Sequence, residues 1–175
     1  MYGNAMEKFV NVIAGKPGAG KTLYVQKEIE DVIRDPERVA ILIANTPPKK
    51  FMLDSDTEDG NNMYRKPLPA NLLFFDSSHA ASGIGKAIDI ANVIGDGMPV
   101  NLYYDQNRYS MPSHIRDMLV VASKAGVNVT VTVQKFSQID KNDKEWLNEN
   151  CYLYIISKQR PPREALSDEI NNTYR

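Results

Sequence analysis

The feature that most constrains the fold is an eight-residue segment with three glycines, Gly15-Lys16-Pro17-Gly18-Ala19-Gly20-Lys21-Thr22. It fits the pattern G-x-x-x-x-G-K-[ST] at every fixed position. The apolar run FVNVIA at 9–14 precedes it, and an amphipathic stretch at 22–33 follows it. Because glycines allow the backbone to curve sharply, this order predicts a strand, a tight loop and a helix in succession.

A loop of this kind, called a P-loop or Walker A motif, is suited to bind a polyphosphate. Its glycines let successive backbone N–H groups face one anion, and the following helix adds the positive end of its dipole. In the motif the lysine reaches the β- and γ-phosphates and the final hydroxyl binds magnesium. We therefore expect ATP and Mg²⁺ as cofactors. The predicted nucleotide contacts are Gly15, Lys16, Pro17, Gly18, Ala19, Gly20, Lys21, Thr22 and Leu23.

Short apolar runs alternate with amphipathic stretches along the rest of the chain, which is typical of a mostly parallel sheet flanked by helices. Strands are predicted at 9–14, 38–44, 71–75, 100–104, 127–133 and 152–156, and helices at 22–33, 85–94 and 112–125. We expect one α/β domain over 1–175, a three-layer sandwich with a loop or insertion at 45–69 and a tail at 158–175.

Composition bounds the class of protein. A net charge of −1 gives no general attraction for nucleic acid, so any such contact must come from a local patch or a partner. The single cysteine, Cys151, cannot form an intrachain disulfide, which favours a reducing, cytoplasmic location. No apolar run approaches the roughly 20 residues of a membrane span, so we expect no membrane segment in this chain.

A second magnesium carboxylate is expected at the end of another strand, as in other P-loop NTPases. Asp76 follows the unbroken apolar run LLFF, and Asp105 follows VNLYY. The local pattern slightly favours Asp76. However, the helix and β-branched strand after Asp105 lead to Gln134, where a polar residue can orient water or sense the γ-phosphate. We therefore favour Asp105, with Thr22, as the metal ligand, and interpret Asp76 as a cap of the next helix.

The residue after Asp105 is Gln106, whereas ATPases of this kind normally carry a glutamate there to activate water. Glutamine cannot accept a proton. Catalysis is then weak, or another group serves, or this copy carries a Glu-to-Gln change that traps ATP. We expect a P-loop ATPase with low hydrolysis, whose candidate catalytic residues are Lys21, Asp105, Gln106 and Gln134.

On these residues the chain resembles the HerA–FtsK group of P-loop ATPases, closest to its zonula-occludens-toxin-like and viral genome-packaging branches. The resemblance covers 9–158 and rests on GKPGAGKT, on LYYDQNR in place of an apolar-Asp-Glu segment, and on VTVTVQKFSQID. It implies a RecA-like fold and Gln134 as the γ-phosphate sensor. It also implies a homo-oligomer with ATP at subunit interfaces. Its work would be DNA translocation or packaging, or phage or virus assembly, with DNA or virion proteins as partners in a host cytoplasm.

The same resemblance raises the question of a trans-acting arginine. Relatives often place one near the end of the helix before the sensor strand, but this chain has Lys124 there. Other candidates are Arg108, Arg116, Arg160 and Arg163.

Two further functions stay open. A small nucleoside or nucleotide kinase fits the chain length and the P-loop, with Arg160 to Arg163 as a weak lid candidate. A non-hydrolysing, nucleotide-dependent assembly factor fits Gln106.

Overall fold

The computed structural model describes residues 10–51, 68–94, 99–105, 111–133 and 141–155, without the side chains of 49, 148 and 153–155. Except between β2 and β3, strands and α-helices alternate along the described residues, as the sequence predicts. Their bounds are β1 Val10–Ala14, α1 Lys21–Ile33, β2 Val39–Ala44, β3 Leu72–Asp76, α2 Ala80–Ile94, β4 Val100–Asp105, α3 Ser113–Lys124, β5 Asn128–Val133, α4 Lys141–Asn150 and β6 Cys151–Ile155, with short 3-10 turns at Lys49–Phe51 and Ser77–His79.

The strands form one six-stranded sheet in the order β3-β2-β4-β5-β1-β6. Every neighbouring pair is parallel. All the strands therefore end at one edge of the sheet, here called the carboxyl edge. The position of β5 matters most for the site, because it lies between β1, which leads into the P-loop, and β4, which ends at Asp105.

Both faces of the sheet are covered, which explains why β2 reads as a nearly continuous apolar run. Alternate residues of β2, Ala40 and Leu42, pack in a cluster with Val25 and Ile29 of α1. Their neighbours Ile41 and Ile43 belong to a second cluster on the opposite face, built with α2, α3 and α4. The arrangement is helix, parallel sheet, helix, and it confirms the predicted three-layer α/β sandwich.

The structure departs from the sequence prediction in two helices. Helix α4, Lys141–Asn150, is not among the predicted helices, and α2 begins at Ala80 rather than at 85. Ser77–His79 forms a 3-10 turn that leads straight into the helix. Gly83, which argues against a helix by propensity alone, is buried against Ile43 and Phe75. Tertiary packing therefore extends the helix through a residue that local propensity disfavours.

The predicted loop at 45–69 lies largely outside the described residues. Its first part contains the 3-10 turn Lys49–Phe51, and Phe51 is buried in the cluster around α1. Among the described helices, none combines the length and the apolar character that a bilayer crossing requires.

Candidate functional site

The P-loop curves at the carboxyl edge between β1 and α1. Gly15 N–H donates to the carbonyl of Val133 at 3.3 Å, which ties the start of the loop to the end of β5. Ala19 N–H donates back to the carbonyl of Lys16 at 3.1 Å. Gly18 and Gly20 have φ angles of 73° and 102°, in the left-handed region that favours glycine. The motif therefore forms a closed turn.

The loop delivers the chain into α1 at Lys21. Gly20 is the residue before the helix, and no side chain caps it. The first N–H groups of any α-helix have no carbonyl partner within that helix, and its dipole makes this end attractive to anions. The first turn also carries Leu23, whose side chain is 70% exposed. The segment therefore has the backbone geometry of an anion-binding helix start.

Lys21 is the buried cation of this loop, with only 6% of its surface exposed. Its Nζ donates to the carbonyl oxygens of Gly15 and, at 3.2 Å, Lys16, so the ammonium group lies inside the curve of the loop. Burial lowers the pKa of Lys21, and the negative charge of Asp105 opposes this shift. A nearby anion would favour the charged form further, since an opposite charge raises a lysine pKa.

Asp105 joins the loop to the middle of the sheet. Its Oδ2 accepts a hydrogen bond from Thr22 Oγ1 at 2.9 Å, and its Oδ1 accepts one from Thr132 Oγ1 at 2.6 Å. Thr132 is fully buried on β5 and is the register partner of Asp105. Both carboxylate oxygens are thus fixed, one by the P-loop helix and the other by the intervening strand.

Asp76 occupies a different environment, at the end of the edge strand β3. In register, Ala44 lies beside both Asp76 and Asp105, so two strand spacings, about 9.6 Å, separate the two aspartate backbones. The Asp76 side chain is exposed and accepts hydrogen bonds from Ser78 N–H and Ser78 Oγ, which lower its pKa. It caps the 3-10 turn before α2, whereas Asp105 is the aspartate at the P-loop.

Thr132 is a site residue that the sequence analysis did not single out. The signal was present in the alternation VNVTVTV, which places Thr130 and Thr132 on one face of β5. What the sequence could not give was the strand order that brings this face beside Asp105.

Several predicted site residues lie outside the described part of the chain. Gln106 and Gln134 follow directly after β4 and β5 in the sequence, and neither is described. The same holds for Arg108, Arg160 and Arg163. Their roles stay predictions, as do the roles of the P-loop residues and Asp105 toward ATP and magnesium.

Two candidates for a trans-acting cation, Arg116 and Lys124, lie within the described residues. Arg116 forms an ion pair with Asp143, and their side chains are only 16% and 9% exposed. Lys124 is the last residue of α3, a helix that runs from the carboxyl edge back to the start of β5. Within one subunit Lys124 therefore lies at the edge of the sheet opposite the P-loop.

A parallel sheet of this order, with a glycine-rich loop leading from the interior strand β1 into a helix, is the RecA-like arrangement of P-loop NTPases. No family model and no curated protein matches the chain. Among solved structures, it is similar to the genome packaging NTPase B204 from Sulfolobus turreted icosahedral virus 2 in complex with AMP. The identity is 12%, the match covers 95% of this chain and 86% of B204, and the TM-score is 0.56.

Two further similarities are weaker. The ATP-gammaS complex of B204 matches with 12% identity over 81% of each chain and a TM-score of 0.48. Rhizobiales Trip13 matches with 12% identity over 86% of this chain and 46% of Trip13, with a TM-score of 0.49. At 12% identity the match to the AMP complex, with a TM-score of 0.56, shows a shared fold only, and it confirms the predicted α/β, RecA-like arrangement.

Proposed function

We propose that this chain binds ATP with magnesium at the P-loop and hydrolyses it slowly, as a motor-type ATPase in DNA translocation or packaging, or in phage or virus assembly. The observation that carries the proposal is the contact between Thr22 and Asp105. These residues are 83 positions apart, and the fold brings their oxygens together beside the buried ammonium of Lys21.

The donor set at this point fits magnesium. A hydroxyl and a carboxylate are the oxygen ligands that Mg²⁺ prefers, and Mg²⁺ needs only one or two protein ligands besides phosphate and water. Thr22 Oγ1 and Asp105 Oδ2 lie 2.9 Å apart, so a single ion could take both oxygens as ligands. Thr22 and Asp105 would hold the ion, which would neutralise charge on the β- and γ-phosphates.

Lys21 and the start of α1 would hold the triphosphate. The ammonium group already lies inside the loop, and the free N–H groups of the helix start face the same region by geometry. In phosphoryl transfer, most of the catalysis comes from positioning and from stabilising charge on the transferred group. Charge stabilisation of this kind is what the P-loop residues would contribute.

Residues that follow the two central strands, β4 and β5, would position the attacking water. β5 ends between the P-loop and Asp105, so the next residue, Gln134, is the natural group to orient water or sense the γ-phosphate. Gln106 follows Asp105 and can form hydrogen bonds, but it cannot accept the proton. Turnover by this chain should therefore be low.

Support for motor work comes from the fold it shares with a genome packaging NTPase and from the resemblance to the HerA–FtsK group. In that group ATP lies between subunits of an oligomer. The net charge of −1 indicates that any DNA contact would use a local surface formed by the assembly.

The nucleotide site is tested by Lys21→Ala, with Lys27→Ala as the control on the exposed side of the same helix. Titration with a fluorescent ATP analogue and Mg²⁺ should show affinity at least about tenfold weaker for Lys21→Ala, a loss of about 1.4 kcal/mol. Lys27→Ala should bind like the parent chain. Unchanged affinity in Lys21→Ala would remove the basis of the proposal.

Motor work is tested separately by light scattering with and without ATP and Mg²⁺, and by ATP hydrolysis with and without DNA in a Gln106→Glu variant. An oligomer and DNA-stimulated hydrolysis are the expected results. A monomer that transfers phosphate to a nucleoside would establish a kinase instead. If the chain forms an ATP-dependent oligomer but no nucleic acid stimulates its ATP hydrolysis, the result would support a role in assembly and would exclude DNA translocation.

A further inference from the structure

A polar cleft lies between α1 and the sheet, with a volume of about 290 Å³. Its helix side is formed by Tyr24 and Glu28, one turn apart on α1. Its sheet side is formed mainly by polar side chains of three neighbouring strands: Asn101 and Tyr103 of β4, Asn128 and Thr130 of β5, and Asn11 of β1.

The cleft lies on the same face of the sheet as the contact between Asp105 and Thr132. Tyr103 is the register partner of Thr130, and the pair formed by Asp105 and Thr132 follows two residues later on the same strands. Two residues of a strand span about 6.6 Å. The cleft therefore borders the P-loop site, but different residues line it.

The neutral polar groups of the cleft are poorly satisfied within the described part of the chain. Asn101 is only 5% exposed. Its side-chain hydrogen bonds with Arg38 and Asn128 are 3.5 and 3.4 Å long, beyond the ordinary range of about 2.7–3.2 Å. The side chains of Asn11 and Thr130 form no hydrogen bond with any described residue. Buried polar groups are normally hydrogen-bonded, so these side chains are suited to hold a polar molecule.

Glu28 is the charged group of the cleft. Burial raises the pKa of Glu28, a hydrogen bond from Tyr24 opposes this shift, and the charge of Asp31 adds to it. None of the ion pairs among the described residues involves Glu28. A cation bound beside the carboxylate would favour its charged form and offset the cost of its burial.

We propose that the cleft binds a guanidinium group, of a small molecule or of an arginine side chain on a second copy of this chain, with Glu28 as its charged partner. A guanidinium is planar, presents a fork of N–H donors and stacks on aromatic rings. These properties match a carboxylate, several amide and hydroxyl oxygens and two tyrosines. A metal ion fits less well, because the described residues contain no group of three His, Cys, Asp or Glu side chains that could hold one.

The first test is a titration with methylguanidinium, followed by the side-chain amide resonances of Asn11, Asn101 and Asn128 in NMR spectra. Sodium chloride at equal ionic strength is the blank. The shifts should saturate with methylguanidinium, and methylammonium, which has the same charge without the planar fork, should bind more weakly. Binding at this cleft does not require ATP at the P-loop, so the titration is independent of the proposed function.

The second test uses Glu28→Gln, which should weaken methylguanidinium binding at least about tenfold because a charged hydrogen-bond partner is lost. This variant should fold at least as well as the parent chain, since it removes a charge whose burial is unfavourable. Glu30→Gln is the matched control on the same helix. It breaks an ion pair with Lys50 and should bind like the parent chain.

Light scattering without nucleotide distinguishes the two sources of the guanidinium. If an arginine of a second copy fills the cleft, the parent chain should self-associate, and both methylguanidinium and Glu28→Gln should shift it to the monomer. If methylguanidinium binds saturably but neither changes the state of association, the ligand is a small guanidino compound. Shifts that rise without saturation, as in a cleft that holds only water, would overturn the proposal. Equal binding by Glu28→Gln and the parent chain would do the same.

Discussion

The packing of α2 on the sheet makes a quantitative test of the fold possible through two glycines, Gly83 and Gly85, in the same helix. A Cβ atom added at Gly83 would lie 2.9 Å from both Cγ1 and Cδ1 of Ile43 and 3.1 Å from Cγ of Phe75. A Cβ atom at Gly85 would meet nothing within 4 Å. The two positions therefore share the helix and its propensity term, and they differ in the space available.

Replacing a helical glycine by alanine stabilises by about 1 kcal/mol when nothing opposes it. Gly85→Ala should therefore gain about 1 kcal/mol. At Gly83 the same gain meets an overpacking cost of about 1–3 kcal/mol, since Ile43 is fully buried and cannot move into solvent. Because the propensity term cancels between the variants, Gly83→Ala should be less stable than Gly85→Ala by about 1–3 kcal/mol.

Urea unfolding of both variants, followed by the fluorescence of Trp146 and by circular dichroism, measures this difference. The slope of free energy against urea should be the same in both, so the midpoints report stability alone. Adding Ile43→Val to Gly83→Ala removes the Cδ1 atom in the contact. Ile43→Val should therefore cost less stability when it is made in Gly83→Ala than when it is made in the parent chain, where we expect a cost of about 0.5–1.5 kcal/mol. If Gly83→Ala proved as stable as Gly85→Ala, α2 would not pack against β2 as described.

Four other outcomes follow from the site and its surroundings. Gln106→Glu should raise phosphate release about 10²- to 10⁴-fold, and an unchanged rate would mean that position 106 is not the base. Asp105→Asn should abolish the magnesium dependence of ATP binding in calorimetric titrations, whereas Asp76→Asn should keep it. Burial raises the pKa of Glu28 above its ordinary 4.5, so the folded chain keeps the carboxyl proton to a higher pH than the unfolded chain does. The free energy of unfolding therefore falls as the pH rises from 4.5 through the raised pKa of the folded chain. The stability advantage of Glu28→Gln over the parent should therefore grow from pH 4 to pH 7 in urea melts. The amide nitrogen of Asn71 lies 3.1 Å from each of three backbone carbonyl oxygens at the end of α1 and in the connection to β2, and its two hydrogens are shared among them. Asn71→Ala should cost about 1–3 kcal/mol, and Asn71→Asp should cost more because its carboxylate faces those carbonyls.

The parts of the fold that the sequence predicts are those determined by neighbouring residues. The strand, P-loop and helix at the start of the chain depend on glycines and apolar periodicity within about 25 residues, and the structure has them at Val10–Ala14 and Lys21–Ile33. Helix α2 begins five residues before the predicted start at 85, and the added part includes Gly83, which lowers local helix propensity. The contact of Gly83 with Ile43, which outweighs that propensity, is 40 residues away in the chain.

The ion pair between Arg116 and Asp143 illustrates the other limit. Twenty-seven residues separate the partners, and in sequence each looks like an ordinary charge on an amphipathic helix. Their burial depends on how α3 and α4 lie together on one face of the sheet, which no local pattern encodes. The sequence analysis therefore considered Arg116 as a cation acting on another subunit, whereas the structure pairs it within its own chain.

The site depends on strand order in a way that residue types alone do not reveal. Because β5 separates β1 from β4, the backbones of the P-loop strand and of Asp105 are about 9.6 Å apart. Two hydroxyls bridge this separation: Thr132 from the strand in between, and Thr22 from the first turn of α1. If β4 lay directly beside β1, Thr132 would have no place between them. β3 lies two strands beyond β4, and therefore four strand positions from β1, which puts its Asp76 beyond the reach of Thr22. The choice of Asp105 over Asp76 is therefore a consequence of sheet topology, and any substitution that shifts β5 should disturb the contact between Thr22 and Asp105 without touching either residue.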